Sequence, residues 1–287
     1  MSKRKIESIK ELREICQRSE ANRDSWYDVN FFRKISIYFT KLLLKTKITA
    51  NQTSGIAISI GIIAGVFFVF GNYWYAFIGA LLLCLSYIFD CVDGEIARYR
   101  KSASIAGKYV ESMYEYIIYP FIFICISIGL YNLFNNIFIL ILGILIALFM
   151  CWGNIASDIV YTVLVIETKN STNKIVDKQV SEIWENIRKR HSKIRRIYNY
   201  IKIWFTFPVP LILITTILDI LFINYCPDYS VDKLAIEFRP NIVFSIFNYG
   251  IEFNFLYIYF FLFVIIISSR SIIRIIDNFN QLKSYSK

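Results

Sequence analysis

The 287-residue chain is 56% hydrophobic and 17% aromatic but only 19% charged, with a mean hydropathy of +0.48 and a net charge of +10. A soluble domain carries about 25% charged residues. The balance therefore points to a polytopic membrane protein, and it excludes a disordered chain, a fibre, a coiled coil and a disulfide-stapled secreted module.

The first thirty or so residues are polar and charged, so no signal peptide is visible. Residues 29–46 follow, with Phe32, Ile35, Phe39, Leu42 and Leu43 at helical spacing among Arg33, Lys34, Lys41 and Lys45. The pattern predicts a basic amphipathic helix lying in the headgroup plane; the alternative is the start of a longer first spanning helix. Apolar stretches near the roughly 20 residues that a span needs recur at 54–72, 73–90, 112–131, 136–157, 203–223 and 253–269, predicting six transmembrane helices and an all-α integral membrane fold. Residues 71–74 and 131–136 read as tight uncharged turns, and 91–111 and 158–202 as long charged connections. Within the latter, 176–187 carries a helical stripe of Val176, Val180, Ile183, Trp184 and Ile187. The divisions are then 1–50, a cytoplasmic basic segment; 51–270, a six-helix catalytic domain; and 271–287, a cytoplasmic tail.

Charge fixes the expected orientation. Of 32 Lys and Arg residues, 30 fall on one side of this plan, leaving Lys233 and Arg239 on the other. The positive-inside rule makes the rich side, with both termini, cytoplasmic. Asn51 and Asn170, each in an N-x-[ST] match, then lie inside and are not glycosylation sites. Cys16, Cys84, Cys91, Cys125, Cys151 and Cys226 include no C-x-x-C pair and read mainly as buried thiols.

The connection between the second and third spans carries the chemistry. At 100° per residue, Asp90, Asp93, Gly94, Ala97 and Arg98 fall within an arc of about 140°, and Gly107, Glu111 and Glu115 within about 80° of the next helix. A reversal near Ser102–Ser104 lets the two stripes face each other, bringing four carboxylates together. Such a group repels itself unless a cation sits within it, and hard oxygen ligands on two helices suit two Mg²⁺ or Mn²⁺ ions. Gly94 and Gly107 remove side chains where a ligand or the facing helix approaches, and Arg98 offers a fork for phosphate oxygens. The plainer alternative is a solvated charged loop, but acids at a membrane edge are functional by default.

The pattern D-x2-D-G-x2-A-R-x8-G-x3-E-x3-E resembles the signature of the CDP-alcohol phosphotransferases, which ends in D-x3-D where this chain has Glu111 and Glu115. Residues 48–54 are similar to that family's T-P-N-x-x-T element, with Ala50 for Pro and Ser54 for Thr. The resemblance implies an enzyme of phospholipid or related biosynthesis that moves a phosphoalcohol group from a CDP-linked lipid or alcohol to a hydroxyl acceptor, releasing CMP. By position it implies a first metal on Asp90, Asp93 and Glu111 and a second on Asp90, Glu111 and Glu115. It further implies donor contacts from Gly94, Arg98 and Ser104 with Asn51 and Ser54, close approach at Ala97 and Gly107, and Glu115 as the base. Each Glu lengthens the arm by about one bond, 1.5 Å, yet keeps charge and ligand type, so the substitutions read as an active variant.

Other features weigh less. The basic run 188–196, with the lone His191, reads as an anchor on anionic lipid headgroups, the alternative being a pocket for a phosphorylated acceptor. Asp158 lies near the inner end of the fourth span, where it lines the acceptor pocket or simply meets the interface. Asp219, near the outer end of the fifth span, is expected to snorkel to water. The Phe and Tyr residues of 244–261 read as lipid-facing or packing bulk. The plan allows a homodimer and calls for no nucleic acid. Competing readings are a catalytically degenerate family member, or a transport or scaffold protein; acids at one edge and the lack of an inverted repeat weigh against transport. The acceptor stays open.

Overall fold

A computed structural model of the chain describes residues 7–18, 28–170, 208–225 and 255–285. These form helices and short connections, with no strand among the described residues. The 176–187 stripe, the basic run with His191, and Cys226 lie outside the described residues.

Helix α1, Ile9–Cys16, starts at a capping box in which the Ser8 hydroxyl accepts from the Glu11 amide and the Glu11 carboxylate accepts from the Ser8 amide. Those bonds hold the Glu11 carboxyl below its usual range. A π-helical turn, Asp28–Phe32, runs into α2, Arg33–Leu43. The chain leaves helical form at 44–49, where the Thr46 hydroxyl donates to the Leu43 carbonyl and Thr49 caps the next helix. Helix α2 is therefore separate and not the start of the first span. Its faces also differ from expectation. Phe32 is buried against Tyr87, and Ser36, Ile37 and Thr40 face inward. The exposed apolar stripe consists of Phe31, Tyr38 and Leu42, at spacings of seven and four.

Six long helices follow: α3, Ala50–Val69; α4, Tyr73–Tyr99; α5, Ile105–Phe134; α6, Ile137–Asn170; α7, Pro208–Tyr225; and α8, Phe255–Tyr285. Four of them, α3, α4, α5 and α8, are long and apolar enough to cross a membrane; α6 and α7 carry shorter apolar stretches, at Ile137–Gly153 and Val209–Leu221. Several apolar helices of this kind mark a membrane protein. Where described, the expected spans fall on helices, but α4, α5, α6 and α8 run far past the apolar limits, and α6 takes in the start of the connection read at 158–202. Between α4 and α5 only residues 100–104 leave helical form, so the charged connection read at 91–111 is mostly helix. Lys101 turns the chain at φ +53°, and the Ser104 hydroxyl caps α5 by accepting from the Gly107 amide. The turn expected at 131–136 shrinks to Asn135, at φ +50°, and Asn136, because Leu133 and Phe134 extend the helix.

Helix α4 is the axis of the bundle: α1, α2, α3 and α7 all pack against it, α3 most extensively. Small residues let helices close, as is general in membranes. A Cβ on Gly65 would collide with the Phe121 ring, and one on Gly129 with the Phe68 carbonyl. Phe123 stacks on Phe263 at 4.5 Å and packs near Phe260, so part of the aromatic cluster read as bulk is core, while Phe261 is exposed. Cys16, Cys84, Cys91 and Cys125 are buried free thiols.

At the end of the bundle away from the motif, Asp219 does not snorkel. It is buried, and its two carboxylate oxygens accept the backbone N–H groups of Phe255 (2.6 Å) and Leu256 (3.2 Å). The first amides of α8 have no acceptor within their own helix, and Asp219 of α7 supplies one.

Candidate active site

The motif acids ride on the last turns of α4 and the first turns of α5, the two joined by the reversal at 100–104. Helix α3 closes a third side. Its start explains the second motif: Thr49 caps it in a box with Gln52, and Ala50 takes the first helical position, where Pro is favoured for its fixed φ and missing donor. Ser54 is then one turn inside, facing α4.

Asp93 is buried at 7% exposure and accepts a hydrogen bond from the Ser54 hydroxyl across the α3–α4 contact. Asp90, one turn earlier, is half-buried, with Oδ1 sealed from solvent. Beneath them, Ser86 donates to the Ala57 carbonyl (2.7 Å), which leaves the Tyr114 hydroxyl to donate to Ser86 (2.9 Å). That chain links α3, α4 and α5 under the site.

The expected donor contacts form two groups. Asn51 and Ser104 flank Gly107: a Cβ there would lie 3.4 Å from Ser104 Oγ and 3.6 Å from Asn51 Oδ1. Those are ordinary contacts, so protein packing alone does not demand glycine at 107. At Gly94 a Cβ would lie 3.3 Å from the Arg98 guanidinium, which folds over it; Ala97 is half-buried alongside. Arg98 Nε donates to the Cys16 carbonyl at 2.5 Å, so the guanidinium is steered by α1. Glu115 is exposed, and the side chains of Glu111 and Asp158 lie outside those described.

No metal cage of three or more acid, thiol or imidazole groups is gathered among the described residues. The donor set still suits a hard divalent ion. Asp90 and Asp93 are hard-oxygen donors one turn apart on one helix, and Ser54 orients the second in the way that outer-shell hydroxyls orient ligands.

One acid went unread in the sequence. Glu95, two residues after Asp93, is fully buried on another face of α4, about 140° from Asp90. It accepts from Ser36 Oγ (2.6 Å), Thr40 Oγ1 (2.5 Å) and Gln17 Nε2 (2.8 Å), with Arg33 Nη1 at 3.7 Å. The available signal was Ser36 and Thr40, two hydroxyls one turn apart beside Ile37 on a basic amphipathic helix.

Residues 47–223 match the sequence model of a family described as CDP-alcohol phosphatidyltransferase, a stretch that takes in α3 through most of α7 and the whole motif. No curated protein matches the chain.

Proposed function

The chain belongs to the CDP-alcohol phosphatidyltransferase family, and from that premise we propose that it transfers a phosphoalcohol group from a CDP-linked donor to a hydroxyl acceptor, releasing CMP, at the cytoplasmic face of a membrane. The observation that carries the reading is the Ser54–Asp93 hydrogen bond, which joins the two family motifs across α3 and α4.

In the proposed reaction the acceptor oxygen bonds to the phosphorus that carries the donor's alcohol, and the P–O bond to CMP breaks. Glu115 takes the proton of the acceptor hydroxyl, a weak nucleophile until it is deprotonated. Asp90, Asp93, Glu111 and Glu115 would hold two divalent ions, Mg²⁺ or Mn²⁺, in a family that is generally dependent on such metals. When bound, the ions neutralise the diphosphate and the departing CMP. Arg98, Gly94 and Ser104, with Asn51 and Ser54, hold the CDP portion. Ser54 does so partly by fixing the rotamer of Asp93.

The charge distribution supports six spans with both termini in the cytoplasm. The exposed stripe of Phe31, Tyr38 and Leu42 supports α2 as an interfacial helix. An amphiphilic donor then enters from the bilayer and the polar partner from the cytosol.

The test is CMP release by purified protein from CDP-diacylglycerol and CDP-amino alcohols, against a panel of hydroxyl acceptors. Release that requires acceptor, stops with EDTA and returns with Mg²⁺ or Mn²⁺ is expected. No CMP from any donor would place the chain among inactive relatives.

A further inference from the structure

The segment that precedes the family match is fastened to the motif helix along one face. From the start of α4's last turns outward, Tyr87 donates to Asp28 (2.7 Å), and Glu95 collects Gln17, Ser36, Thr40 and Arg33. Arg98 then donates to the Cys16 carbonyl (2.5 Å), and Tyr99 to Glu7 (2.5 Å). Gln17 spends its second amide hydrogen on the Arg33 carbonyl (2.8 Å), tying the end of α1 to α2. Glu95 is the hub: its hydrogen bonds reach both α2 and the end of α1, and it is 0% exposed.

We infer that Glu95 is a positioning residue for the transfer reaction, locking α1 and α2 against the back of α4 and so fixing the rotation of the turns that carry Asp90, Asp93 and Arg98. The inference rests on the reading above of those three residues as metal and donor contacts.

Geometry makes the lock consequential. A side-chain atom on a helix lies about 5 Å from its axis, so a rotation of about 10° moves a carboxylate by nearly 1 Å. Sites of this kind tolerate about 0.5 Å. On the motif side, Asp93 takes the Ser54 hydroxyl bond across the α3–α4 packing. Glu95 grips the opposite side through both carboxylate oxygens, Oε1 held by Gln17 and Ser36 and Oε2 by Thr40. The same fastening brings the α1 carbonyl of Cys16, at the partially negative end of that helix, against Arg98 Nε. Loss of the hub therefore loosens both the acids and the guanidinium.

The test compares Glu95→Gln with Tyr87→Phe, which removes a buried bond between the same segment and the same helix but does not touch the hub. Readouts are thermal stability, donor KM, kcat, and Mn²⁺ affinity measured by electron paramagnetic resonance without substrate. Both variants should lose stability. Glu95→Gln alone should raise donor KM and weaken Mn²⁺ binding, each by about 10-fold or more, the size of an outer-shell defect, with kcat changing less. Gln17→Ala and Thr40→Val, which each remove one donor to Glu95, should shift the same two quantities in the same direction by less, and they serve if Glu95→Gln does not fold. Wild-type KM and Mn²⁺ affinity in Glu95→Gln, or equal shifts in Tyr87→Phe, would overturn the inference. If wild-type protein binds Mn²⁺ but releases no CMP, the proposed reaction fails while Mn²⁺ affinity still decides the role of Glu95. Absence of Mn²⁺ binding by the wild type overturns both.

Discussion

Asp93 and Glu95 stand two residues apart on α4, both buried, and do opposite things. Asp93 faces α3, takes a hydroxyl bond from Ser54, and lies on the same stripe as Asp90. Glu95 faces the N-terminal segment, with hydroxyl and amide donors on both oxygens and an arginine at 3.7 Å. A buried carboxylate wrapped in donors from its own chain is stabilised where it is and has little left to offer a ligand. A carboxylate set beside other acids retains ligand capacity, because its neighbours favour a cation. On the proposed reading, one helix carries a chemical face and a fastening face, with Arg98 where the two meet.

The largest expected effect lies on the chemical face. Asp90→Asn should lower CMP release by several orders of magnitude, since it removes charge from a ligand that both ions would share, and thermal stability should stay near wild type. Near wild-type turnover by that variant in EDTA would erase the distinction between the faces. Ser54→Ala should be milder. The carboxylate of Asp93 stays but is no longer oriented, so metal affinity or activity should fall by about 10–100-fold; a steady-state metal titration measures it.

Asp219→Ala extends the comparison to the far end of the bundle. It removes the acceptor for the Phe255 and Leu256 amides and should cost about 0.5–2 kcal/mol, like the loss of a helix cap. Donor KM should not change, because nothing on either face of α4's motif end is touched. Denaturation in detergent alongside donor kinetics separates the two effects.

A pH dependence lies beneath the fastening. The Cys16 thiol is pushed up to about 11, first by burial and then by the Glu95 charge, against the opposing Arg98. Folding favours the protonated thiol, so its contribution to stability is full below about 9, the unfolded value, and is lost as pH rises through about 11. In a background lacking the other five cysteines, alkylation at pH 8 should run about 100-fold slower than for an open thiol, the ratio of thiolate fractions. A rate equal to that of an open thiol would mean that α1 does not dock as described.

The sequence was legible where residues follow a local spacing. Asp90, Asp93, Gly94, Gly107, Glu111 and Glu115 follow helical intervals, and the structure carries them on two helices that meet at a five-residue reversal. The helices too were legible from apolar length, although α4, α5, α6 and α8 outran it, because backbone hydrogen bonding continues past the last apolar residue while side chains turn polar. What could not be read were pairings between distant positions. Glu95 meets Thr40 across 55 residues and Gln17 across 78, and no periodicity connects them. The inward face of α2 escaped notice for the same reason: the stripe of Phe32, Ile35, Phe39, Leu42 and Leu43 says nothing of Ser36 and Thr40, whose partner Glu95 lies 59 and 55 residues away. Asp219 likewise looked like a solvent-seeking acid because the helix start that it caps lies 36 residues away.

The chemical face is tested most directly by single-turnover CMP release from labelled CDP-linked donor, in wild-type protein and in Glu115→Gln, with donor binding measured in parallel. Glu115→Gln keeps size and one oxygen but loses basicity. The account predicts that donor binding weakens less than release, which slows by about 10²–10⁴-fold, the range for a missing general base. Release at the wild-type rate, with metal and donor bound normally, would contradict it.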